Sequence, residues 1–271
     1  MGLATQPVSP KPRDAYYWRL FATAMSFALF GLGGLCLRLV VFPLLACLPG
    51  DAEAHRQRAR RTIGRLFWFF IRFMARCGVL TYEVTGAEQL GRPGQMILAN
   101  HPSLIDVVFL IGLVRHTNCV VKQSLWQNPF TRNPIRDAGY ISNDGSMNML
   151  DAASEALRNG QTLVIFPEGT RTRPGEAPAF HRGAAAIALR GARIITPVVI
   201  KVSPTTLTKA EPWYRIPPRR VHFSFRVGAD IDPCAFAVQG PAPQASRKLN
   251  DHLHHYFIKE LAEDERSASG N

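Results

Sequence analysis

Acidic residues are scarce in this sequence. Asp and Glu together number 20 against 32 Lys and Arg, a formal charge of +12 with histidine neutral, and no acid falls between Ala54 and Tyr82. Cysteine is sparse as well. Cys36, Cys47, Cys77, Cys119 and Cys234 lie far apart and form no C-x-x-C, which excludes a disulfide framework and a zinc ribbon. Unpaired thiols fit a reducing compartment. H-E-x-x-H, G-x-S-x-G and the P-loop G-x-x-x-x-G-K-[ST] are missing, so zincins, hydrolases with the usual nucleophile elbow and P-loop NTPases drop out. There is no internal repeat, and Gly and Pro show no period, which removes solenoid and collagen-like readings. Apolar residues are plentiful at 46%, too many for a disordered chain.

An excess of positive charge points to nucleic acid or to anionic lipid. Position decides between them. The acid-free segment carries seven arginines (Arg56, Arg58, Arg60, Arg61, Arg65, Arg72 and Arg76) interleaved with Leu66-Phe67-Trp68-Phe69-Phe70-Ile71. Such a mixture suits a helix lying on a bilayer better than one reading a groove, and no nucleic-acid partner is expected. Just before it, Leu20–Leu37 runs without a charge, and Leu39–Leu48 continues the apolar stretch past Arg38 and around Pro43. An 18-residue helix is about 27 Å long, near the thickness of a bilayer core. A buried core helix or a cleaved lipoprotein signal ending at Cys47 are the alternatives, and the length of the run disfavours both. Gly31-Leu32-Gly33-Gly34 and Pro43 leave open whether the segment spans or re-enters one leaflet. The arginines that follow place the rest of the chain on the cytoplasmic face, although Lys11, Arg13 and Arg19 also precede the run.

The texture changes near Leu80. Leu80–Thr85, Gln95–Ala99, Asn118–Lys122, Gly139–Ser142, Thr162–Phe166, Arg193–Val202 and Val221–Val227 read as strands. Leu104–Val114, Met147–Arg158, Gly183–Arg190 and Ser246–Ala262 read as helices. Alternation of this kind predicts an α/β domain with a mainly parallel sheet flanked by helices. The expected division is a flexible N-terminus (1–17), a membrane anchor made of the apolar helix and the Arg/aromatic interfacial helix (18–79), and a catalytic domain (80–271).

Two segments carry chemistry. Asn100-His101-Pro102-Ser103-Leu104-Ile105-Asp106 leaves a strand and opens a helix. His101 and Asp106 do not share a helical face, but a loop can fold the ring back onto the carboxylate, which fixes the tautomer and leaves the other ring nitrogen as a base. Ser103-x-x-Asp106 is also a capping box, so Asp106 could serve only the helix end. Phe166-Pro167-Glu168-Gly169-Thr170-Arg171-Thr172-Arg173 leaves a second strand, and its arginines offer forked donors suited to phosphate. His252, His254 and His255 read as a solvated helix face rather than a metal site.

Together the two segments resemble the glycerolipid acyltransferase family, whose type members are 1-acylglycerol-3-phosphate acyltransferases. Asn100–Asp106 matches N-H-x-x-x-x-D, Phe166–Arg171 matches F-P-E-G-T-R, and Ile195-Thr196-Pro197-Val198-Val199-Ile200 is similar to the Pro-centred fourth block. The resemblance covers about Tyr82–Val202. It implies transfer of an acyl chain from an acyl carrier protein or coenzyme A thioester to a lysophospholipid hydroxyl, most simply that of 1-acyl-sn-glycerol-3-phosphate. His101 would be the general base and Asp106 its orienting partner. Glu168, Gly169, Thr170 and Arg171 would shape the acceptor site. No metal, serine nucleophile or cofactor beyond the thioester co-substrate is implied, and the expected location is the inner face of a bacterial inner membrane. The alternatives are a family acyltransferase acting on another lyso-lipid or hydroxylated amphiphile, or a catalytically dead lipid-binding homologue, and two departures bear on the acceptor. Asn143 in Gly139-Tyr140-Ile141-Ser142-Asn143 stands where a basic residue is common, and Phe180-His181-Arg182-Gly183 replaces Phe-Lys-x-Gly, with Arg182 or Arg136 as compensating cations.

Overall fold

A computed structural model describes residues 14–128, 131–238 and 240–269. Most of the expected flexible N-terminus, with Lys11 and Arg13, lies outside the described residues. Seven strands, β1 (Leu80–Thr85), β2 (Gln95–Ala99), β3 (Asn118–Lys122), β4 (Ile141–Asn143), β5 (Leu163–Ile165), β6 (Ile194–Ser203) and β7 (Val221–Val227), form one sheet in the order β1-β7-β6-β2-β5-β3-β4. Every neighbouring pair is parallel except β6 and β7. The exception follows from the connection. A parallel return normally needs a crossover helix, and residues 204–220 between these two strands contain none.

The helices are α1 (Tyr16–Cys36), α2 (Phe42–Ala46), α3 (Ala52–Arg76), α4 (Asp106–Leu113), α5 (Ser124–Gln127), α6 (Arg132–Ala138), α7 (Met147–Arg158), α8 (Gly183–Gly191), α9 (Cys234–Ala237) and α10 (Ala242–Ser269). The last is longer than its periodicity predicted, and the short α5, α6 and α9 were not legible. Side chains alternate across the sheet. Ile97, Ala99, Val164, Val198 and Ile200 face one core with Phe109, Phe223 and Phe225. Met96, Leu98, Leu163, Ile165, Ile195 and Val199 face the other, closed by Leu157, Ile187, Leu249, Leu253 and Phe257 from α7, α8 and α10.

At the N-terminus, α1 runs through a π-helical turn at Leu37–Val41 into α2. Pro43 cannot donate to the preceding turn, and a π turn next to a proline is a common accommodation. Tyr16–Ala46 is long and apolar enough to cross a membrane by length and composition, and 11% of its most apolar stretch is buried against the protein. Asp51 caps α3 by accepting Ala54 N–H at 2.8 Å.

The Arg/aromatic helix α3 has two faces. Ile63, Gly64, Phe70, Ile71 and Met74 are buried, while Arg61, Arg65, Leu66, Phe69, Arg72 and Arg76 are exposed. It crosses α4 at very short range. A Cβ on Gly64 would lie 2.6 Å from Arg115 Cα, and one on Gly112 would lie 3.1 Å from Trp68 N. The segment assigned to the anchor and the segment assigned to the catalytic domain therefore share one core.

Candidate active site

Every residue of β2 is buried, so this central strand delivers Asn100 and His101 to the carboxyl edge of the sheet from a rigid base. Where the β2–β6 ladder ends, the Asn100 side chain continues it. Nδ2 donates to Ile200 O at 2.8 Å, and Oδ1 accepts Ile200 N–H at 2.7 Å. The amide does what a further pair of strand residues would do, while the main chain turns away into the loop.

That loop folds His101 back onto Asp106. His101 Nδ1 lies 3.0 Å from Asp106 Oδ2, and the same oxygen accepts Ser103 N–H at 2.7 Å. The two readings of Asp106 are thus not exclusive: one oxygen caps the turn and holds the ring. Ser103 does not complete the capping box, because its hydroxyl donates to Thr206 O at 3.0 Å. Asp106 is fully buried. Burial pushes its carboxyl above the ordinary range, opposed by the hydrogen bonds from His101 and Ser103 and by the charge of Arg171. An ionised carboxylate only accepts, so the proton sits on Nδ1 and Nε2 carries the free lone pair. The ring stacks on Phe166 at 4.3 Å between centroids, which fixes its tilt, and the side chain keeps 17% of its surface exposed.

The F-P-E-G-T-R segment closes the other side. Glu168, 4% exposed, accepts His101 N–H on Oε1 at 2.9 Å and the Thr172 hydroxyl on Oε2. Thr172 N–H in turn donates to His101 O at 3.1 Å. Burial raises the Glu168 carboxyl, with the Thr172 and His101 donors pulling the other way. The sequence placed Glu168 at the acceptor; its contacts clamp the two motif loops to each other. Gly169 sits at φ +65° after a turn closed by Gly169 N–H to Phe166 O, a left-handed conformation that favours glycine. Thr170 is exposed. Arg171 is half-buried, and its Nη1 donates to Leu207 O at 2.7 Å and Thr208 O at 2.9 Å.

Asn143 and His181 both approach this turn. From the Cβ position of Gly169, Asn143 Nδ2 is 3.8 Å away and His181 Nε2 3.7 Å. Both departures from the usual motif therefore lie beside Gly169. Arg136 instead lies exposed near Asp137, and Arg182 is exposed at the start of α8. An open cleft is lined by His101 together with Glu168, Arg173, Lys201, Thr205 and Thr208. Sequence reasoning missed the 204–208 carbonyls. The one signal was the unusually long interval between two strands, a length that is uncommon without a role. Among the described residues no group of His, Cys, Asp and Glu is placed to hold a metal.

Residues 81–201 match the Acyltransferase family. Over 188 residues the chain is 30% identical to the lyso-ornithine lipid O-acyltransferase of Pseudomonas aeruginosa, covering 67% of this chain and 69% of that protein. Over 131 residues it is 35% identical to the 1-acyl-sn-glycerol-3-phosphate acyltransferase of Helicobacter pylori, covering 44% of this chain. That match spans little more than half of the Helicobacter protein, 55% of its length. In fold, the chain is similar to the crystal structure of the 1-acyl-sn-glycerophosphate (LPA) acyltransferase PlsC from Thermotoga maritima, with a TM-score of 0.70 and 20% identity over 92% of this chain and 96% of that one.

Proposed function

The chain belongs to the glycerolipid acyltransferase family, and from that premise we propose that it is a membrane-bound O-acyltransferase that esterifies a lysophospholipid hydroxyl from an acyl thioester. The observation that carries the reading is the His101–Asp106 pair, with Nδ1 held at 3.0 Å on a buried carboxylate and the ring lining an open cleft. The acceptor hydroxyl gives its proton to Nε2 as its oxygen attacks the thioester carbonyl carbon. Asp106 steadies the imidazolium that forms. As the tetrahedral intermediate collapses the C–S bond breaks, and the proton on Nε2 passes to the departing thiolate. An ester and a free thiol result, and His101 is restored.

The acceptor read first is 1-acyl-sn-glycerol-3-phosphate, giving phosphatidic acid. The name of the Helicobacter relative supports it, as does Arg171, a forked cation close to Gly169 that Nη1 anchors to two loop carbonyls. A second reading has its own support. Asn143 and His181 replace two commonly basic positions and both approach Gly169, and the Pseudomonas relative is named for a lyso-ornithine lipid. A less anionic head group fits that pairing. In either case the thioester is carried by acyl carrier protein or coenzyme A, and the apolar N-terminal helix holds the enzyme at the cytoplasmic face.

The test is incubation of the purified chain with a panel of lyso-lipids and both thioester types, read by mass spectrometry, beside His101→Ala. A new diacyl product that disappears in the variant is expected. No transfer with any pair, or transfer that survives His101→Ala, would sink the proposal.

A further inference from the structure

Residues 204–220 connect two places that the sequence keeps far apart. The first part of this loop holds the motif residues. Thr206 O accepts the Ser103 hydroxyl, Leu207 O accepts Leu104 N–H at 3.1 Å, and Leu207 O and Thr208 O accept Arg171 Nη1. The last part is gripped from α1. Arg19 is 2% exposed. Its Nη1 donates to Pro217 O and Arg219 O at 3.1 and 3.0 Å, its Nη2 to Pro218 O at 2.7 Å, and its Nε to Asp14 O at 2.7 Å. One guanidinium thus ties the start of the apolar helix to three consecutive carbonyls of the loop.

Between these ends the loop presents Trp213 and Tyr214, 42% and 59% exposed. The Trp213 ring lies 5.8 Å from that of Phe27 on α1, a residue itself packed on the core, so the exposed loop aromatics sit directly beside that helix. Arg215, Arg219 and Arg220 are exposed beside it. Amphipathic aromatics flanked by arginine are the composition of a bilayer interface with anionic headgroups.

The loop is also not in a conformation its own residues prefer. Leu207 and Ala210 hold φ of +52° and +66°. Non-glycine residues keep such angles only where the surroundings impose them. Here the surroundings are the motif residues at one end and Arg19 at the other.

We propose that the 204–220 loop is a second lipid contact, and that through it the membrane seating of α1 sets the geometry around His101, with Arg19 as the positioning residue. Releasing the Arg19 end lets Leu207 relax and shifts the carbonyls that fix Ser103, Leu104 and Arg171. The kinetic part of the test rests on the acyltransferase reading; the spectroscopic parts do not.

The experiment uses the full chain in vesicles of phosphatidylethanolamine and phosphatidylglycerol. Lipids with brominated acyl chains are expected to quench Trp213, seen as the difference between the native chain and Trp213→Phe. A Trp213 signal untouched by bromine overturns the lipid contact. Arg19→Gln is expected to float with vesicles as the native chain does and to keep its thioester KM. Its kcat should fall by about 10- to 100-fold, the scale of a misplacement of roughly 1 Å, and Arg19→Lys should recover part of the loss. Hydrogen exchange at the Leu104, Thr206 and Leu207 amides should quicken in Arg19→Gln. Native kcat with native exchange rates, or a kcat loss that only tracks unfolded protein by circular dichroism, overturns the coupling. If the native chain transfers no acyl group, the acyltransferase reading falls, while quenching and exchange still decide for or against the loop.

Discussion

Asp106→Asn separates the orienting role of this residue from its capping role. Both hydrogen bonds of the carboxylate fall on Oδ2, and Oδ1 is buried without a hydrogen-bond partner among the described residues. An asparagine that sets its carbonyl oxygen at the Oδ2 place keeps Ser103 N–H and His101 Nδ1, and its amide takes the unpartnered place. The turn and the tautomer survive; the charge does not. At 3.0 Å and an effective dielectric of about 20, an imidazolium and a carboxylate attract by about 5.5 kcal/mol, or about 10⁴-fold in rate. Water reaches the partly exposed His101 and weakens this, so the expected fall in kcat/KM is about 10²- to 10⁴-fold.

The fold should hold. An unsatisfied buried amide costs about 1–3 kcal/mol, and removal of a buried charge offsets it. The sign of the pH dependence provides a second check. Burial raises the Asp106 pKa in the folded state, so the native form binds more protons than the unfolded one between the ordinary carboxylate range and the raised value. That contribution to stability is complete below the ordinary value and is lost as pH rises through the folded pKa. Asparagine removes it, and the stability of Asp106→Asn relative to the native chain should therefore increase with pH across that window. Steady-state acyl transfer and denaturant melts over a pH series measure both. A variant retaining more than about a tenth of native kcat/KM would show that Asp106 merely caps the start of α4, and the base mechanism would lose its support.

Three further outcomes are expected. Gly64→Ala should destabilise the fold by about 1–3 kcal/mol, because its Cβ would meet backbone of Arg115 and Ile111 at 2.6 and 2.9 Å; an unchanged denaturation midpoint would contradict the close α3–α4 crossing. Asn143→Arg should lower the KM for lysophosphatidate by about tenfold if that lipid is the acceptor, since a charged donor is then restored beside Gly169; an unchanged or raised KM favours the less anionic acceptor. The protein should stay with membranes in 1 M salt, where charge pairing is screened within about 3 Å, and leave with detergent; release by salt alone would refute insertion of the Tyr16–Ala46 stretch.

Local pattern carried much of this protein. Strands β1, β2, β3 and β7 and the helix α7 lie where alternation and helical periodicity place them, because each depends on residues within one or two turns of one another. The apolar length of the N-terminal helix needs no partner to be read. His101 and Asp106 were singled out by the family resemblance of one short block, while spacing left helix capping open; the folded loop shows one Asp106 oxygen meeting both the ring and Ser103 N–H. Long-range contact decided the rest. Asn100 meets Ile200 across 100 positions and Glu168 meets His101 N–H across 67, so the clamp that Glu168 makes between the two motif loops is visible only in the fold. The antiparallel β6–β7 pair depends on a connection that forms no helix, which composition alone does not announce. The Arg/aromatic α3 looked like a surface helix because its charge is spread along the whole sequence, and only docking at Gly64 and Gly112 separates its buried stripe from its exposed one. Arg19 and the 204–208 carbonyls carry no motif at all. Their meaning comes from the fold bringing an apolar N-terminal helix and the two motif loops to opposite ends of one strained segment.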